Sequence, residues 1–418
     1  MTRANFSAVL VVLALALPLA AAAQEPGVFK VPGTDSTIKF YGYVQLDGTV
    51  DFGGRPTDIE NNDWATILPA VPLDNDIAAK RKPQTYLTAR TSRFGIITNT
   101  PTGAGPIGVR LEGDFNGGNI FQSEGWTNSV LFRLRHAYGT FGGLLAGMTW
   151  TTMIDLGAAP DTVDFNGPGS LSLVRNPMIR YTFGLGQGAN LVLAAENARG
   201  LQYGAPVDSA GNLSYPVRFA MIPDFHANFT YSGSWGHVSV RGVAQDYVRQ
   251  VELVPPSPAD PNGEHSNRSA WGIAGAISGS LKIGGDTLVA QVSGGPGIGR
   301  YLFNALGAPF VSVNASNNLE LWTAFAYHLG FTHVWNPKFR SNLVWSQTFI
   351  QDPEINGVAA APGFFEKDFM QAFVNTFYGF AKNCELGVEY VFGQYKMNVT
   401  GDKGTQNRIN FSFHYNFF

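Results

Sequence analysis

The residues of this chain with the clearest chemical potential are arginines that alternate with apolar side chains. Arg110 lies between Val109 and Leu111, and Arg241 follows Val240 in the same way. In a strand this spacing puts the arginines on one face and the apolar residues on the other. A guanidinium group keeps its charge and binds a carboxylate through two parallel hydrogen bonds, so several of them lining a channel would attract anions. The candidates are Arg90, Arg110, Arg133, Arg135, Arg180 and Arg241.

The same arginines also have a purely structural interpretation. Carboxylates at inward positions would pair with them and hold a polar wall together. The acidic residues suited to this role are Glu112, Asp114, Asp47 and Glu196. A charged pair in a wall and a passing anion can share the same residues, and for the set of six arginines the sequence favours anion selectivity.

The sequence does not determine the orientation of a few polar residues. Arg90 and Arg93 lie an odd number of positions apart, which sends them to opposite faces of a regular strand unless a bulge intervenes. One of the two would then face a neighbouring subunit. His136 is predicted to point outward beside Leu134 and Tyr138, where protein would have to cover it. An error in the strand register is the alternative explanation.

A second group of charged residues occupies the segment 151–175, after the fifth predicted strand. Asp155, Asp161 and Asp164 occur there among several prolines and glycines. The position predicts a loop folded into the barrel, where acidic groups opposite an arginine wall would create a transverse field. Alternatively, these aspartates form turns and caps. Aromatic residues that could stack on aromatic solutes, or serve the membrane interface instead, are Trp126, Trp150 and Phe165.

The elements that must carry these residues are predicted to be strands. Period-two alternation between turn signals marks sixteen segments. Their approximate bounds are 38–50, 84–98, 107–115, 129–140, 143–151, 177–184, 189–196, 225–233, 236–248, 269–281, 285–293, 317–332, 338–349, 368–380, 384–395 and 405–418. Short and long connections alternate along the series. The predicted fold is therefore all-β, a transmembrane antiparallel β-barrel of about sixteen strands with short periplasmic turns and long extracellular loops.

The two ends of the chain and its composition agree with this fold. Residues 1–23 combine a basic start, an apolar run and small residues before Gln24, as a secretory signal peptide does. Residues 24–37 would form a short periplasmic segment, and residues 38–418 the barrel porin domain of the Gram-negative outer membrane. Charged residues make up 14% of the chain, against about 25% in soluble proteins, which suits a lipid-facing surface.

Strand number predicts an aqueous channel, because about sixteen strands leave an open lumen. The seven histidines are scattered, and neither a nucleophile motif nor a metal-binding pair occurs. We therefore predict no enzyme activity, catalytic residue, metal site or cofactor, and the net charge of -3 gives no sign of nucleic-acid binding. The alternatives are a sugar-selective or general porin, or a plugged receptor or structural barrel. A sugar channel would need an aromatic track, which Tyr41, Tyr43 and Tyr247 do not form.

Several strings of the sequence resemble the DcaP-like family of trimeric outer-membrane porins. They are Val31–Asp47, Thr91–Gly95, Phe132–Tyr138, and Met148–Asp155 running into Pro160–Phe165. The resemblance is dense from about residue 31 to residue 183 and looser afterwards. It implies a sixteen-stranded homotrimer in outer-membrane lipid that passes small organic anions, notably dicarboxylates and aromatic carboxylates, without cofactor or energy input.

Overall fold

A computed structural model gives the architecture of the chain. It describes residues 25–53, 65–80, 83–117, 131–198, 221–254, 264–305, 311–313, 318–351, 366–397 and 400–418. The predicted signal peptide and Trp126 lie outside the described residues, as do parts of several long loops. Within the described ranges, no helix has the length and apolarity needed to cross a membrane.

The described chain is built almost entirely of strands. The first ten are Val28–Lys30 (β1), Thr37–Gly53 (β2), Gln84–Thr88 (β3), Arg93–Thr100 (β4), Ile107–Asp114 (β5), Arg133–Phe141 (β6), Leu144–Trp150 (β7), Arg175–Gly186 (β8), Ala189–Glu196 (β9) and Asp224–Gly233 (β10). The others are Gly236–Val254 (β11), Glu264–Ile283 (β12), Asp286–Pro296 (β13), Val311–Val313 (β14), Leu319–Leu321 (β15), Thr323–Asn336 (β16), Phe339–Gln351 (β17), Glu366–Ala381 (β18), Cys384–Met397 (β19) and Lys403–Asn416 (β20).

Sixteen crossing strands, counted over the described residues, close into one antiparallel barrel. β3 and β4 form a single crossing, because both pair with β2 and only residues 89–92 separate them. β1 is a short addition to the edge of β2, and β14 pairs with β15 alone. The barrel closes where β2 pairs with β20, with Asp51 opposite Arg408. The predicted all-β barrel of about sixteen strands is confirmed.

Alternation along each strand explains why the sheet closes with an apolar outside. On β20, Phe413 and Tyr415 are exposed on the outer face, whereas Arg408, Asn410 and Ser412 are buried on the inner face. Unpaired backbone groups in hydrocarbon cost several kcal/mol each, so the sheet is stable in a membrane only when its first and last strands pair. The period-two pattern therefore determines both the lipid face and the lumen face.

The connections differ sharply between the two rims of the barrel. Two-residue and other short turns join the strands at the rim where β2 begins and β20 ends. Residues at left-handed φ close two of them, Gly284 (φ 64) and Asn383 (φ 62), as tight hairpins require. Long connections lie at the opposite rim, and parts of several fold back into the barrel.

An apolar core fills part of the lumen. We call residues 65–80 the first loop, residues 151–174 the inserted loop and residues 297–305 the sixth loop. Loop residues pack against apolar inner-wall residues of β11, β12 and β16–β19. The loop side chains in this core are Leu68, Val71, Met153, Ile298, Tyr301, Leu302 and Ala305. Burying each of the larger ones contributes about 1.5–3 kcal/mol, so the loops are fixed parts of the fold.

Candidate functional site

The centre of the candidate site is Glu112, which is buried on the inner face of β5. Its Oε2 accepts hydrogen bonds from Arg110 Nη2 at 2.6 Å and from Tyr41 OH at 2.8 Å. Its Oε1 accepts a hydrogen bond from Arg135 Nε at 2.8 Å and lies 3.5 Å from Arg93 Nε. One carboxylate thus contacts guanidinium groups from β4, β5 and β6, which only the register of these neighbouring strands brings together.

Asp114 forms the second centre, two residues further along β5. Arg133 binds it through two parallel hydrogen bonds, from Nε to Oδ1 at 2.9 Å and from Nη2 to Oδ2 at 2.7 Å. Arg135 Nη1 donates to the same Oδ2 at 2.7 Å and so bridges Asp114 and Glu112. This bidentate geometry is the strongest form of a guanidinium–carboxylate contact.

The balance of charge at this site is positive. We define the arginine cluster by its members, Arg93, Arg110, Arg133, Arg135, Glu112 and Asp114. Four guanidinium groups face two carboxylates, which leaves an excess of two positive charges. The side chains of Arg110 and Arg133 are each 32% exposed, whereas that of Arg135 is 3% exposed. Arg110 and Arg133 therefore present the surplus charge to the lumen.

A cavity of about 540 Å³ lies against the arginine cluster on the side of the short turns. Arg93, Arg110 and Tyr41 form part of its wall, and Glu25 and Phe418 also line it. The Arg110 guanidinium carbon also lies 5.3 Å from the centre of the Tyr41 ring. An aromatic ring and two guanidinium groups in one wall form a surface that complements an aromatic carboxylate.

The prediction that His136 points outward was wrong. The pairing of β5 with β6 shifts between Glu112 and Gly113, and this bulge leaves Arg135 as the extra residue. Because a bulge reverses the alternation, Arg135 and His136 both point inward. His136 is buried, with Nδ1 2.9 Å from Thr149 Oγ1 and Nε2 3.8 Å from Glu112.

Arg90 and Arg93 also lie on the same, inner side of the wall. Residues 89–92 form a turn that separates β3 from β4 and resets the alternation, with Thr91 Oγ1 2.5 Å from Asp47 Oδ2. Arg90 is buried, and its Nη2 donates to Tyr86 OH at 2.9 Å. It therefore sits behind the exposed part of the arginine cluster.

Arg180 and Arg241 point inward, as their alternation predicts, but lie apart from the arginine cluster. Arg180 is half-buried on the inner face of β8. Arg241 is buried and donates to the Met153 carbonyl at 2.6 Å, to Ser278 Oγ at 2.7 Å and to Gln291 Oε1 at 2.9 Å. Arg241 thus holds the start of the inserted loop against the wall, and its guanidinium group is already engaged.

Asp155 anchors the inserted loop to the wall. Its Oδ2 contacts His237 Nε2 at 2.8 Å and Ser278 Oγ at 2.5 Å, and its Oδ1 caps the following turn through Gly157 N at 3.0 Å. Burial opposes ionisation, but the hydrogen bonds from Ser278 and His237 outweigh it and lower the pKa of Asp155 below its ordinary value. Because the pKa is lowered, the contacts of ionised Asp155 stabilise the loop fully at any pH above the ordinary pKa of an aspartate. This stabilisation is lost only when the pH falls through the lowered pKa.

The other two aspartates of the inserted loop have different surroundings. Asp161 is 42% exposed and pairs with Arg340 of β17 at 2.6 Å. Asp164 is buried and accepts hydrogen bonds from Thr66 N at 2.7 Å and from Asn166 N at 3.0 Å. Of the three predicted aspartates only Asp161 presents substantial surface, so two of them follow the turn and anchor interpretation.

Sequence reasoning missed the groups that receive the inserted loop on the inner wall. Glu389 of β19 accepts from Val163 N at 3.0 Å and from Asp164 N at 2.8 Å. Gln371 of β18 accepts from Gly169 N, and Glu196 of β9 accepts from Thr152 N. The available signal was their polar character at inward positions of otherwise apolar strands.

These features define a sixteen-stranded outer-membrane β-barrel with the porin fold and a positively charged patch on its inner wall. Residues 14–212 match the model of the DcaP outer membrane protein family, which confirms the resemblance seen in the sequence. No curated protein sequence matches the chain at a significant level.

Solved structures share the fold at low sequence identity. The outer membrane channel DcaP of Acinetobacter baumannii is 24% identical, with a TM-score of 0.72 over 93% of this chain and 99% of that one. The anion-selective porin from Comamonas acidovorans is 14% identical, with a TM-score of 0.52 over 91% and 100%. The trimer form of OmpT from Vibrio cholerae is 13% identical, with a TM-score of 0.51 over 91% and 99%.

Proposed function

We propose that this protein is a passive outer-membrane channel that prefers anions and takes up small organic anions such as dicarboxylates or aromatic carboxylates. The observation that carries the proposal is the arginine cluster, in which four guanidinium groups face two carboxylates. In a narrow, low-dielectric passage such an excess raises the local concentration of anions and repels cations. No cofactor and no catalytic step enter this mechanism.

The route of the solute follows from what fills the rest of the lumen. The apolar loop core packs against β11, β12 and β16–β19, whereas the arginine cluster lies on β4–β6, on the opposite side of the barrel. A solute is therefore directed along the arginine side, past Arg133 and Arg110 into the cavity beside Tyr41. The exposed guanidinium groups exchange one carboxylate contact for another, so each contact is weak enough to release the solute.

The test is a reversal potential in a planar bilayer under a KCl gradient, with a dicarboxylate then added on one side. We expect anion-selective current that flickers or is blocked by the dicarboxylate, because chloride and the dicarboxylate compete for Arg110 and Arg133. Cation selectivity would refute the role of the arginine cluster while leaving the fold intact.

A plugged receptor or structural barrel is the second candidate, and the loop core is the observation that favours it. Tyr301 and Leu302 of the sixth loop and Leu68 of the first loop are almost completely buried inside the barrel. Absence of conductance in the same bilayer experiment would support this candidate, whereas steady ionic current would reject it.

We further propose that the protein is exported by a signal peptide at residues 1–23 and assembles as a homotrimer. The family resemblance supports the trimer, and OmpT of the same fold is described in a trimer form. We also propose that residues 24–37 form a short periplasmic segment. Exposed rings of Phe94, Phe115 and Phe132 form one outer patch, with the Phe94 and Phe132 ring centres 5.5 Å apart. Three equal conductance steps per insertion and a mature mass beginning at Gln24 are the expected results.

A further inference from the structure

The tip of the inserted loop is held to the far wall by contacts centred on Glu389. Glu389 Oε2 accepts from Val163 N at 3.0 Å, and its Oε1 accepts from Asp164 N at 2.8 Å. Asn375 and Asn410 complete its shell through side-chain amides at 2.8 Å and 3.2 Å. Arg340 also pairs with Asp161, and the Asn375 amide donates to the Asp161 carbonyl at 3.0 Å. Glu389 is therefore the acceptor that fixes the backbone of Val163 and Asp164, beside other contacts of the loop tip.

A second carboxylate shares this site. Asp164 Oδ2 accepts from the Asn410 amide at 3.3 Å, the same amide that reaches Glu389 Oε1. Glu389 and Asp164 are 1% and 4% exposed. Among the described residues, neither forms an ion pair with an arginine or a lysine. Two buried carboxylates without a cation repel each other, and binding of one proton relieves that repulsion.

The charged groups around the pair are engaged with one another. Arg408 of β20 binds Asp51 of β2 through two hydrogen bonds. Towards the short turns, Arg340 of β17 pairs with Asp161 of the loop and with Glu385 of β19. The other acidic group on this side is Asp47 of β2, which accepts hydrogen bonds from Thr91 and Gln45. The two cations in this region are therefore paired with other acidic groups, and the acidic excess falls on Glu389, Asp164 and Asp47.

A proton on either carboxylate has a structural cost. Both oxygens of Glu389 face backbone N–H groups, and the two oxygens of Asp164 face Asn166 N and Thr66 N. A protonated oxygen becomes a donor and opposes the N–H group that it faced. A proton on Glu389 therefore weakens at least one of the two hydrogen bonds to Val163 N and Asp164 N.

We propose that Glu389 is the positioning residue that holds Val163 and Asp164 of the inserted loop, and that protonation of Glu389, beside the carboxylate of Asp164, loosens this part of the loop as the pH falls. The loop then moves relative to the arginine cluster, so acidity alters the width and steadiness of the passage. The change in passage rests on the channel function proposed above, whereas the release of the loop does not. The Asp155 anchor keeps its charge under mild acidity because its pKa is lowered, so the start of the loop stays fixed.

The direct test is hydrogen–deuterium exchange of the detergent-purified barrel, measured on peptides that contain Val163 and Asp164. After correction for the intrinsic rate, protection of these amides should fall about tenfold between about pH 8 and about pH 5, the effect of losing one hydrogen bond to a charged group. In Glu389→Gln, protection should be low at both pH values, because the amide side chain satisfies only one of the two N–H groups. Equal protection of the unmodified protein at both pH values, or full protection in Glu389→Gln, would overturn the proposal.

A matched control and an electrical measurement separate this inference from channel function. Glu385→Gln makes the same substitution at another inward position of β19, and there Arg340 keeps its contact with Asp161. This variant should retain the pH response of the unmodified protein. Single-channel recordings should show open-channel current noise that rises at acid pH in the unmodified protein and is high at every pH in Glu389→Gln. A steady anion-selective current with no pH response would reject only the pH-dependent contact between Glu389 and the inserted loop. Absence of current in the bilayer together with pH-dependent hydrogen exchange would reject only the channel function.

Discussion

Replacing Arg110 and Arg133 together by glutamine is expected to abolish the anion preference of the channel. The arginine cluster has four guanidinium groups and two carboxylates, so this double variant lowers its charge from +2 to zero. These two side chains are the partly exposed members, and a passing ion meets them first. Because focused potentials change local ion concentrations by about tenfold or more, the chloride-to-potassium permeability ratio should fall by about tenfold. The reversal potential under a KCl gradient measures it.

The matched control removes two positive charges far from the arginine cluster in strand order. Lys282 is exposed near the end of β12, and Lys338 is exposed in a short turn. Lys282→Gln with Lys338→Gln should leave the reversal potential close to that of the unmodified protein, because exposed charges are screened by salt. An equal shift in both double variants would show that net charge, and not the arginine cluster, determines selectivity. Buried Arg135 still bridges Glu112 and Asp114 in the first variant, so the barrel should fold normally.

Replacing Arg408 by methionine is expected to destabilise the barrel by about 3–5 kcal/mol, the usual cost of leaving one partner of a buried ion pair uncompensated. Arg408 Nε and Nη2 bind Asp51 Oδ1 and Oδ2 at 2.7 Å and 2.9 Å, and both side chains are fully buried. The pair joins β2 to β20, the strands whose pairing closes the barrel. The free energy of unfolding in lipid vesicles, followed by tryptophan fluorescence, should show the loss.

The double variant Arg408→Met with Asp51→Leu is the informative comparison. Removing both charges abolishes the unpaired carboxylate, so most of the lost stability should return. Lys30→Met serves as a control, because the Lys30–Asp35 pair is largely exposed and should contribute little. If Arg408→Met were as stable as the unmodified protein, the ion pair would have no part in closing the barrel.

The orientation of some residues of the candidate site could be predicted, because alternation along a regular strand alone decides whether a side chain faces the lumen or the lipid. Arg110, Arg133, Arg180 and Arg241 follow the regular alternation of their strands and lie inward. His136 could not be assigned in this way, because a single extra residue in β6 reverses the alternation at that point. The bulge depends on how β5 and β6 pair, and that pairing leaves no local signal in either strand.

The loop contacts were beyond prediction for a different reason. Glu389 lies 225 positions from Asp164, yet its carboxylate receives that residue's N–H. Such a contact follows from barrel closure and from the inward course of the inserted loop. The sequence predicted that the loop enters the barrel, but it did not predict which wall receives it or that Asp155 and Asp164 would be its anchors.

By itself the sequence determined the strand count, the alternation of short and long connections, the lipid face and the family resemblance. These are local properties, since period-two patterning and turn residues act within about ten positions of each other. Only the tertiary structure decided the ion pairing of the arginines, the side of the lumen filled by the loop core and the carboxylates that hold the inserted loop. These depend on strand register and on loop packing across the barrel, which join residues that are distant in the chain.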